Sequence, residues 1–439
     1  APPMNSAPSP TAAPIQRCDI LIIGAGPAGM AAALAAAPSG GAIMLVDDNP
    51  APGGQIWRDG PGAHLPPLAR THRERLAAAP NVRVLTGTRV VGLGGGAQPG
   101  DAPALLLEDG ERGWTQHCGR LILCTGAREL LLPFPGWTLP GVTGAGGLQA
   151  LIKAGLPVRG QRIVIAGTGP LLLAAAHTAR EAGAQVLRIA EQAHWSQLAA
   201  FGLQLPRWPA KAVQALPLLH PALRAASHVL EATGTQQVQA VRLQRGAGEE
   251  VLACDRLACG FGLVPHTHLG QMLGCELNDR LGLTVDAVQA TAVPGVFAAG
   301  ECTGFGGSEK ALVEGAMAGH AATGDATTAL ALAPQRARWQ GFADALHHHF
   351  ALSPRLRDLP RPDTLVCRCE DVRHADLSER GGWIDAKLHT RCGMGPCQGR
   401  VCGAATQFLF GWTPAPARHL LAPARIAPLA SCSNDESTP

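Results

Sequence analysis

One six-residue loop, Gly24-Ala25-Gly26-Pro27-Ala28-Gly29, limits the possible folds more than any other stretch. It follows a β-branched run, Asp19-Ile20-Leu21-Ile22-Ile23, and opens an alanine-rich stretch from Met30 to Ala37. Strand, glycine loop and helix in that order predict a parallel βαβ unit. Gly24 then permits the turn out of the strand. Gly26 lets a pyrophosphate reach the backbone, and Gly29 and Ala33 let the helix lie close to the sheet. The helix N-terminus offers free N–H groups and a positive dipole end to the phosphates. All six loop residues are therefore candidate contacts. A second strand, Ala42 to Val46, ends at Asp47, 18 residues after Gly29, where an acid meets an adenosine ribose. The competing reading, a glycine-rich turn in an unrelated βαβ unit, is set aside because all of this context is present.

With 439 residues the chain has room for several domains. Its net charge of +3 and pI near 8.3 are too mild for a nucleic-acid or anionic-membrane binder. The longest apolar run, Ile20 to Ala37, carries the glycine motif, so it reads as a buried βα unit and predicts no transmembrane segment. Residues 1–16 read as a disordered lead, rich in proline, serine and alanine, with Met4 a candidate start. Thirteen cysteines without a secretory signal predict reduced thiols or metal ligands in a cytoplasm.

Past Asp47, the run Asp48 to Arg58 holds prolines and the pair Gly53-Gly54. It reads as a rigid loop along a long dinucleotide, with Asp48, Gly54 and Gln55 as candidate contacts. A helix is expected over 64–79, and strands over 82–85, 88–93, 105–107 and 121–124. The last of these ends in another strand-to-glycine turn, Thr125-Gly126-Ala127. Prolines between 133 and 140 mark a crossing, with a domain boundary near 150. There Arg162 to Ala166 leads into a second glycine loop, Gly167-Thr168-Gly169-Pro170. Leu172 stands where the third glycine belongs, while Ala176 and Glu191 match the later positions. A working site at Gly167 and Gly169 for NAD(P) and a vestigial one both stay open. Residues 202–250 give no clear pattern. Residues 257–263 read as a returning strand. Val296 to Glu301 is an apolar strand ending at Gly300 and an acid. Glu301 suits a ribityl hydroxyl, and the helix expected over 309–322 suits negative charge on a flavin ring.

These motifs resemble the two-dinucleotide-domain flavoproteins, in which an FAD-binding domain is interrupted by an NAD-binding-like one. The resemblance implies an FAD domain over 17–150 and 258–325, an inserted domain over 151–257, and backbone contact of Val90 with the adenine. Glu301 stands where that family usually has aspartate. Disulfide reductases of this architecture carry a Cys-x-x-Cys beside the flavin, and this chain has none.

The tail indicates another electron route. After a linker over 326–360 with a helix at 335–350, Cys367 and Cys369 form one close pair and Cys397 and Cys402 another. Three consecutive histidines, His347 to His349, point apart by about 100° each and make a poor metal site, so they read as a partly exposed helix face. Thiolate pairs select iron–sulfur clusters or zinc. The run Gly393-Met394-Gly395-Pro396-Cys397-Gln398-Gly399-Arg400-Val401-Cys402 resembles the bacterioferritin-associated-ferredoxin-like [2Fe–2S] domain, over 361–439 with the tail. By that resemblance Cys367, Cys369, Cys397 and Cys402 are the ligands, and Cys392 is a fifth thiol beside them.

The expected fold class is α/β: two Rossmann-like dinucleotide-binding domains, the second inserted in the first, plus a small C-terminal helical [2Fe–2S] domain. The whole chain resembles the α, or A, subunits of opine oxidases and of D-hydroxyproline and L-proline dehydrogenases, and more distantly the B-subunit of hydrogen cyanide synthase. This implies an electron-transferring flavoprotein subunit with FAD and a [2Fe–2S] cluster. Its implied partners are a flavoprotein β subunit that oxidises the amine and a small ferredoxin-like subunit, with any membrane association only through them. Two other classes stay open: a stand-alone NAD(P)H-dependent oxidoreductase and a non-catalytic scaffold.

Overall fold

The computed structural model describes residues 16–95, 102–413, 421–426 and 429. The expected lead lies outside these residues apart from Gln16, as does Cys432. Strand Gln16–Ile23 sits at the centre of the first sheet. It pairs in parallel with Ile43–Val46 on one side and with the long strand Gly113–Leu123 on the other. Val82–Leu85 extends the parallel edge. The early half of Gly113–Leu123 pairs antiparallel with Leu105–Glu108, which pairs with Arg89–Leu93. Its late half pairs in parallel with Val296–Ala298 from far along the chain. Cores lie on both faces, with Ile22, Met30 and Leu45 in one and Leu21, Leu105 and Leu121 in the other. Double-sided burial explains why these strands read as continuous apolar runs.

The glycine-loop helix, Pro27–Ala36, packs against Ser308–Ala322 through small residues. A Cβ on Gly315 would lie 2.1 Å from the Ala28 carbonyl oxygen, and one on Gly319 2.3 Å from that of Ala32. The two helices thus meet backbone to backbone, which is why the first is rich in alanine.

A second, all-parallel sheet runs Leu223–Arg224, Gln185–Glu191, Arg162–Gly167, Arg256–Gly260, Val142–Gly144. The stretch that gave no pattern holds a three-stranded antiparallel sheet, Ser227–Thr233, Ala240–Arg245 and Gly248–Ala253. Its last strand is mostly exposed, so its alternation carries little apolar signal. The expected single strand over 257–263 is broken at Gly262, whose φ is +111°. Its first part stays in the second sheet. Its second part, Leu263–Pro265, pairs antiparallel with Ala127–Glu129 and clasps the outward and return crossings together.

Helix Ala333–His349 leads to a small C-terminal unit. There the ribbon of Leu365–Cys367 and Val372–Arg373 packs with helices Trp383–Thr390 and Cys402–Phe410 around Val366, Leu377 and Trp383. Among the described residues, no helix is long and apolar enough to cross a membrane.

The backbone contact can be tested by substitution. Gly315→Leu should cost about 3 kcal/mol, at the upper end of overpacking costs, and lower the melting temperature. Gly202→Ala, on an exposed helix with nothing within 4 Å of the new Cβ, should be neutral or slightly stabilising. Equal melting of the two variants would refute the contact.

Candidate cofactor sites

Several of the residues expected at the first site come together from the two segments of the first domain. Gly24 has φ +102°, and a Cβ there would lie 2.2 Å from the Cys124 carbonyl oxygen, at the end of the neighbouring strand. Asp47 is buried and holds the loop in place. Its Oδ2 accepts the Ala25 N–H at 2.6 Å, and its Oδ1 accepts the N–H and side-chain amide of Asn49 at 2.8 and 2.7 Å. The Ala25 carbonyl in turn accepts the Gly53 N–H at 2.8 Å. That bond draws the second loop in until a Cβ on Gly54 would stand 3.1 Å from the Gly26 Cα. No side chain caps the helix that starts here, although Pro27, Ala28 and Gly29 are all buried. Asp48 and Gln55 are exposed at the rim, and Val90 is buried in the adjoining strand.

The turn after the long strand is tied to the return crossing: the Thr125 hydroxyl donates to the His266 carbonyl at 2.5 Å, and the His266 N–H to Gly126 at 2.9 Å. Gly300 lies against the first helix, where a Cβ would be 2.8 Å from that of Ala28. Its N–H donates to Glu314 Oε2 at 3.0 Å, which also accepts the Thr303 hydroxyl. Lys310 pairs with Glu314 at 2.8 Å, both nearly inaccessible, and Arg336 approaches the same carboxylate at 3.5 Å. Burial raises the Glu301 carboxyl, while the Lys310 charge draws it back. Sequence reasoning missed Lys310, Glu314 and Arg336. The only available signal was an i, i+4 Lys–Glu pair, which reads the same on an exposed face.

At the second loop, Glu191 is buried and accepts the Gly169 N–H at 2.7 Å and the Ala193 N–H at 2.9 Å. Leu172 is buried and packs toward Gly260, where a Cβ would be 3.0 Å from the Leu172 Cδ2. A Cβ on Gly167 would lie 1.9 Å from the Gly260 carbonyl oxygen, so the turn itself repeats the first.

In the C-terminal unit the sulfurs of Cys367, Cys392 and Cys402 lie within 4.8 Å of one another, all three residues buried. Cys397, half-buried, lies beside Cys402 and the exposed Cys369. The Cys402 thiol pulls Cys397 down to about 5. The five thiols thus form one group, with Cys392 inside it rather than beside it and Cys369 at its rim. This group is docked on the first domain. The Arg128 Nε–H donates to the Arg400 carbonyl at 2.8 Å, and the Trp137 indole N–H donates to Leu365 at 2.7 Å. The Arg368 guanidinium lies over the Trp137 ring, 4.7 Å from its centre. Arg128 and Arg400 crowd His266 and His268. Burial, reinforced by these two charges, lowers the imidazoles to about 4 and about 3. Arg128 Nη1 and His268 Nδ1 are buried without a hydrogen-bond partner.

Residues 18–326 match the pyridine nucleotide-disulphide oxidoreductase family. The chain is 32% identical over 431 residues to the opine oxidase A-subunit of Agrobacterium tumefaciens strain Ach5, covering 88% of this chain and 84% of the relative. It is 32% identical over 437 residues to the HcnB subunit of hydrogen cyanide synthase from Pseudomonas protegens, covering 87% and 89%. The solved L-proline dehydrogenase from P. horikoshii has the same fold, with a TM-score of 0.68 at 19% identity over 95% of this chain and 80% of that one.

Two outcomes can be tested, the first resting on the tail's ferredoxin-like resemblance and the second on the burial of His266 and His268. Cys397→Ser and Cys369→Ser should each abolish a reduced iron–sulfur EPR signal, while Cys392→Ser leaves it. Loss with Cys392→Ser and survival with Cys369→Ser would exchange their roles. Separately, His266 and His268 stay neutral in the fold but take up protons in the unfolded chain below about 6.5. The unfolded state therefore binds more protons from there down to about 4. Stability is full above that window and falls as the pH drops through it. Melting temperature against pH should show this fall, and His268→Phe should flatten it. A wild-type profile already flat over the window would rule out neutral burial.

Proposed function

Since the chain belongs to the pyridine nucleotide-disulphide oxidoreductase family, alongside the A subunits of opine oxidases, we propose that it is the electron-transferring flavoprotein subunit of a multisubunit amine dehydrogenase. The amine is of opine, D-hydroxyproline or proline type. The family implies FAD, and the first site fits it. A buried, uncapped helix N-terminus has N–H groups that need an anion. No Cβ separates Gly26 from Gly54 where the pyrophosphate has to pass. In this reading Gly24 to Gly29, Gly54 and Gln55 hold the phosphates. Asp47, Asp48 and Val90 hold the adenosine, and Thr125, Gly126, Ala127, Gly300 and Glu301 the ribityl and flavin end. The five-thiol group suits an iron–sulfur centre, and we assign a [2Fe–2S] cluster to Cys367, Cys369, Cys397 and Cys402. Bound FAD supplies two-electron acceptance, and the cluster supplies one-electron carriage.

One observation supports this reading above the others. Arg128 directly follows Thr125-Gly126-Ala127, and Arg400 lies between Cys397 and Cys402. Their hydrogen bond sets the turn assigned to the flavin against the loop assigned to the cluster. A relay needs that proximity, whereas a scaffold does not. Two half-buried guanidinium groups, neither in an ion pair among the described residues, also suit the negative charge of a thiolate-bound cluster. The amine is oxidised on a flavoprotein β subunit, with a small ferredoxin-like subunit completing the assembly.

The test is anaerobic flavin absorbance of the chain, first alone and then mixed with its β subunit. Alone, it should not be bleached by an imino acid or opine. With the β subunit present, the same substrate should bleach it. Fast bleaching of the isolated chain by an amine would place the substrate site here, and fast bleaching by NADH would favour the stand-alone reductase.

A further inference from the structure

The second glycine loop is covered by the chain itself. The Thr168 hydroxyl, between the two loop glycines, donates to the Phe350 carbonyl at 3.3 Å. The Phe350 Cβ and Cγ stand 3.9 Å from where a Cβ of Gly169 would be, over the start of the helix Pro170–Glu181. Gln192 directly follows the strand-end acid and clasps the same segment at both ends of its amide. Its Nε2 donates to the Ala351 carbonyl at 2.7 Å, and its Oε1 accepts the Ser353 N–H at 2.9 Å. The Phe350 ring meets Phe201 edge-on at 5.0 Å, and His349 contacts Gln204 at 2.8 Å. In a working dinucleotide site the loop, the helix N-terminus and the residues after the acid take the pyrophosphate and the adenosine ribose. The buried acid does not by itself tell the two loops apart, because Asp47 bonds its own loop much as Glu191 does. The occupant differs. Among the described residues, only the second loop has such a linker segment seated on it, and only there does leucine replace the third glycine.

We propose that the second dinucleotide module is a receptacle for this chain's own linker, residues 349–353, and takes no nicotinamide dinucleotide. Its function is to fix the path to the C-terminal unit. Beyond Ser353 the connector stays on the same module: Leu356 and Leu359 are buried with Val164 and Ala190 of the second sheet. Arg357 then donates to the Phe408 carbonyl at 3.0 Å, and Arg361 pairs with Glu231 at 3.0 Å. The seated linker thus tethers the five-thiol group at a set distance from the first domain. The proposal holds whether or not electrons follow the route given above.

Hydrogen exchange on the full-length holoprotein tests it, read over peptides spanning 349–359 with and without millimolar NADH or NADPH. Exchange should be slow and unchanged by either nucleotide, and calorimetry should find no saturable binding of either. Gln192→Ala and Phe350→Ala should each speed exchange at 349–353 several-fold. Ser353→Pro, at a φ of −67° that proline accepts, removes the N–H given to Gln192 together with the hydroxyl that accepts the Arg355 N–H. It should raise exchange in the same segment. Saturable NADPH binding with faster exchange at 349–353 would make the segment a displaceable lid and overturn the proposal. Fast exchange there in the wild type, with or without nucleotide, would also overturn it. Neither readout involves electron transfer, so a failed relay and a failed receptacle give different results.

Discussion

The bare contact between helices Pro27–Ala36 and Ser308–Ala322 is the constraint on which the first domain depends. Two helices can approach to backbone distance only where the facing side chains are absent or no larger than a methyl group. Gly315 and Gly319 meet that condition on one side and the alanines on the other. The approach brings Gly300 against Ala28, so the strand-end turn and the glycine loop become walls of one site. Larger residues at this interface would leave both motifs intact in sequence and separate them in space.

The closed interface leaves Glu314 buried beside it, and its stability depends on complete pairing. Its oxygens are shared among the Gly300 N–H, the Thr303 hydroxyl, Lys310 and Arg336. A buried ion pair adds little net stability compared with an apolar pair, but removing one partner leaves an uncompensated charge. The network is better understood as fixing the 300–304 turn in one conformation than as strengthening the fold.

The parts of the fold legible in the sequence are those set by local rules. Gly24, Gly167 and Gly300 announce turns because their backbones require glycine, and close cysteine pairs announce a thiolate group because few other arrangements use them. What stays hidden depends on distant partners. The linker's seat on Thr168 and Gln192 joins residues with no shared periodicity. The buried state of Lys310 follows from what covers its helix, not from the helix itself. The antiparallel sheet within 202–250 has a largely exposed last strand, so it shows little apolar alternation. Resemblance alone puts Cys392 beside the ligand thiols, and only the three-dimensional turn after helix Trp383–Thr390 brings its sulfur to Cys367 and Cys402.

The inserted module also governs the order in which the chain can become native. Strand Val296–Ala298 completes the first sheet against Leu121 to Leu123, and it emerges only after the whole second module has been made. At ribosomal rates of about 5–20 residues per second, that leaves the edge of Gly113–Leu123 unpaired for roughly ten seconds or more. During that interval the second module can already close on itself, because all of its strands are at hand. The clasp of Ala127–Glu129 with Leu263–Pro265 then forms between two ends that this module already holds close together. The insertion thus shortens the effective loop that the first domain must close, and an inserted domain that folds early acts for its host as an internal template.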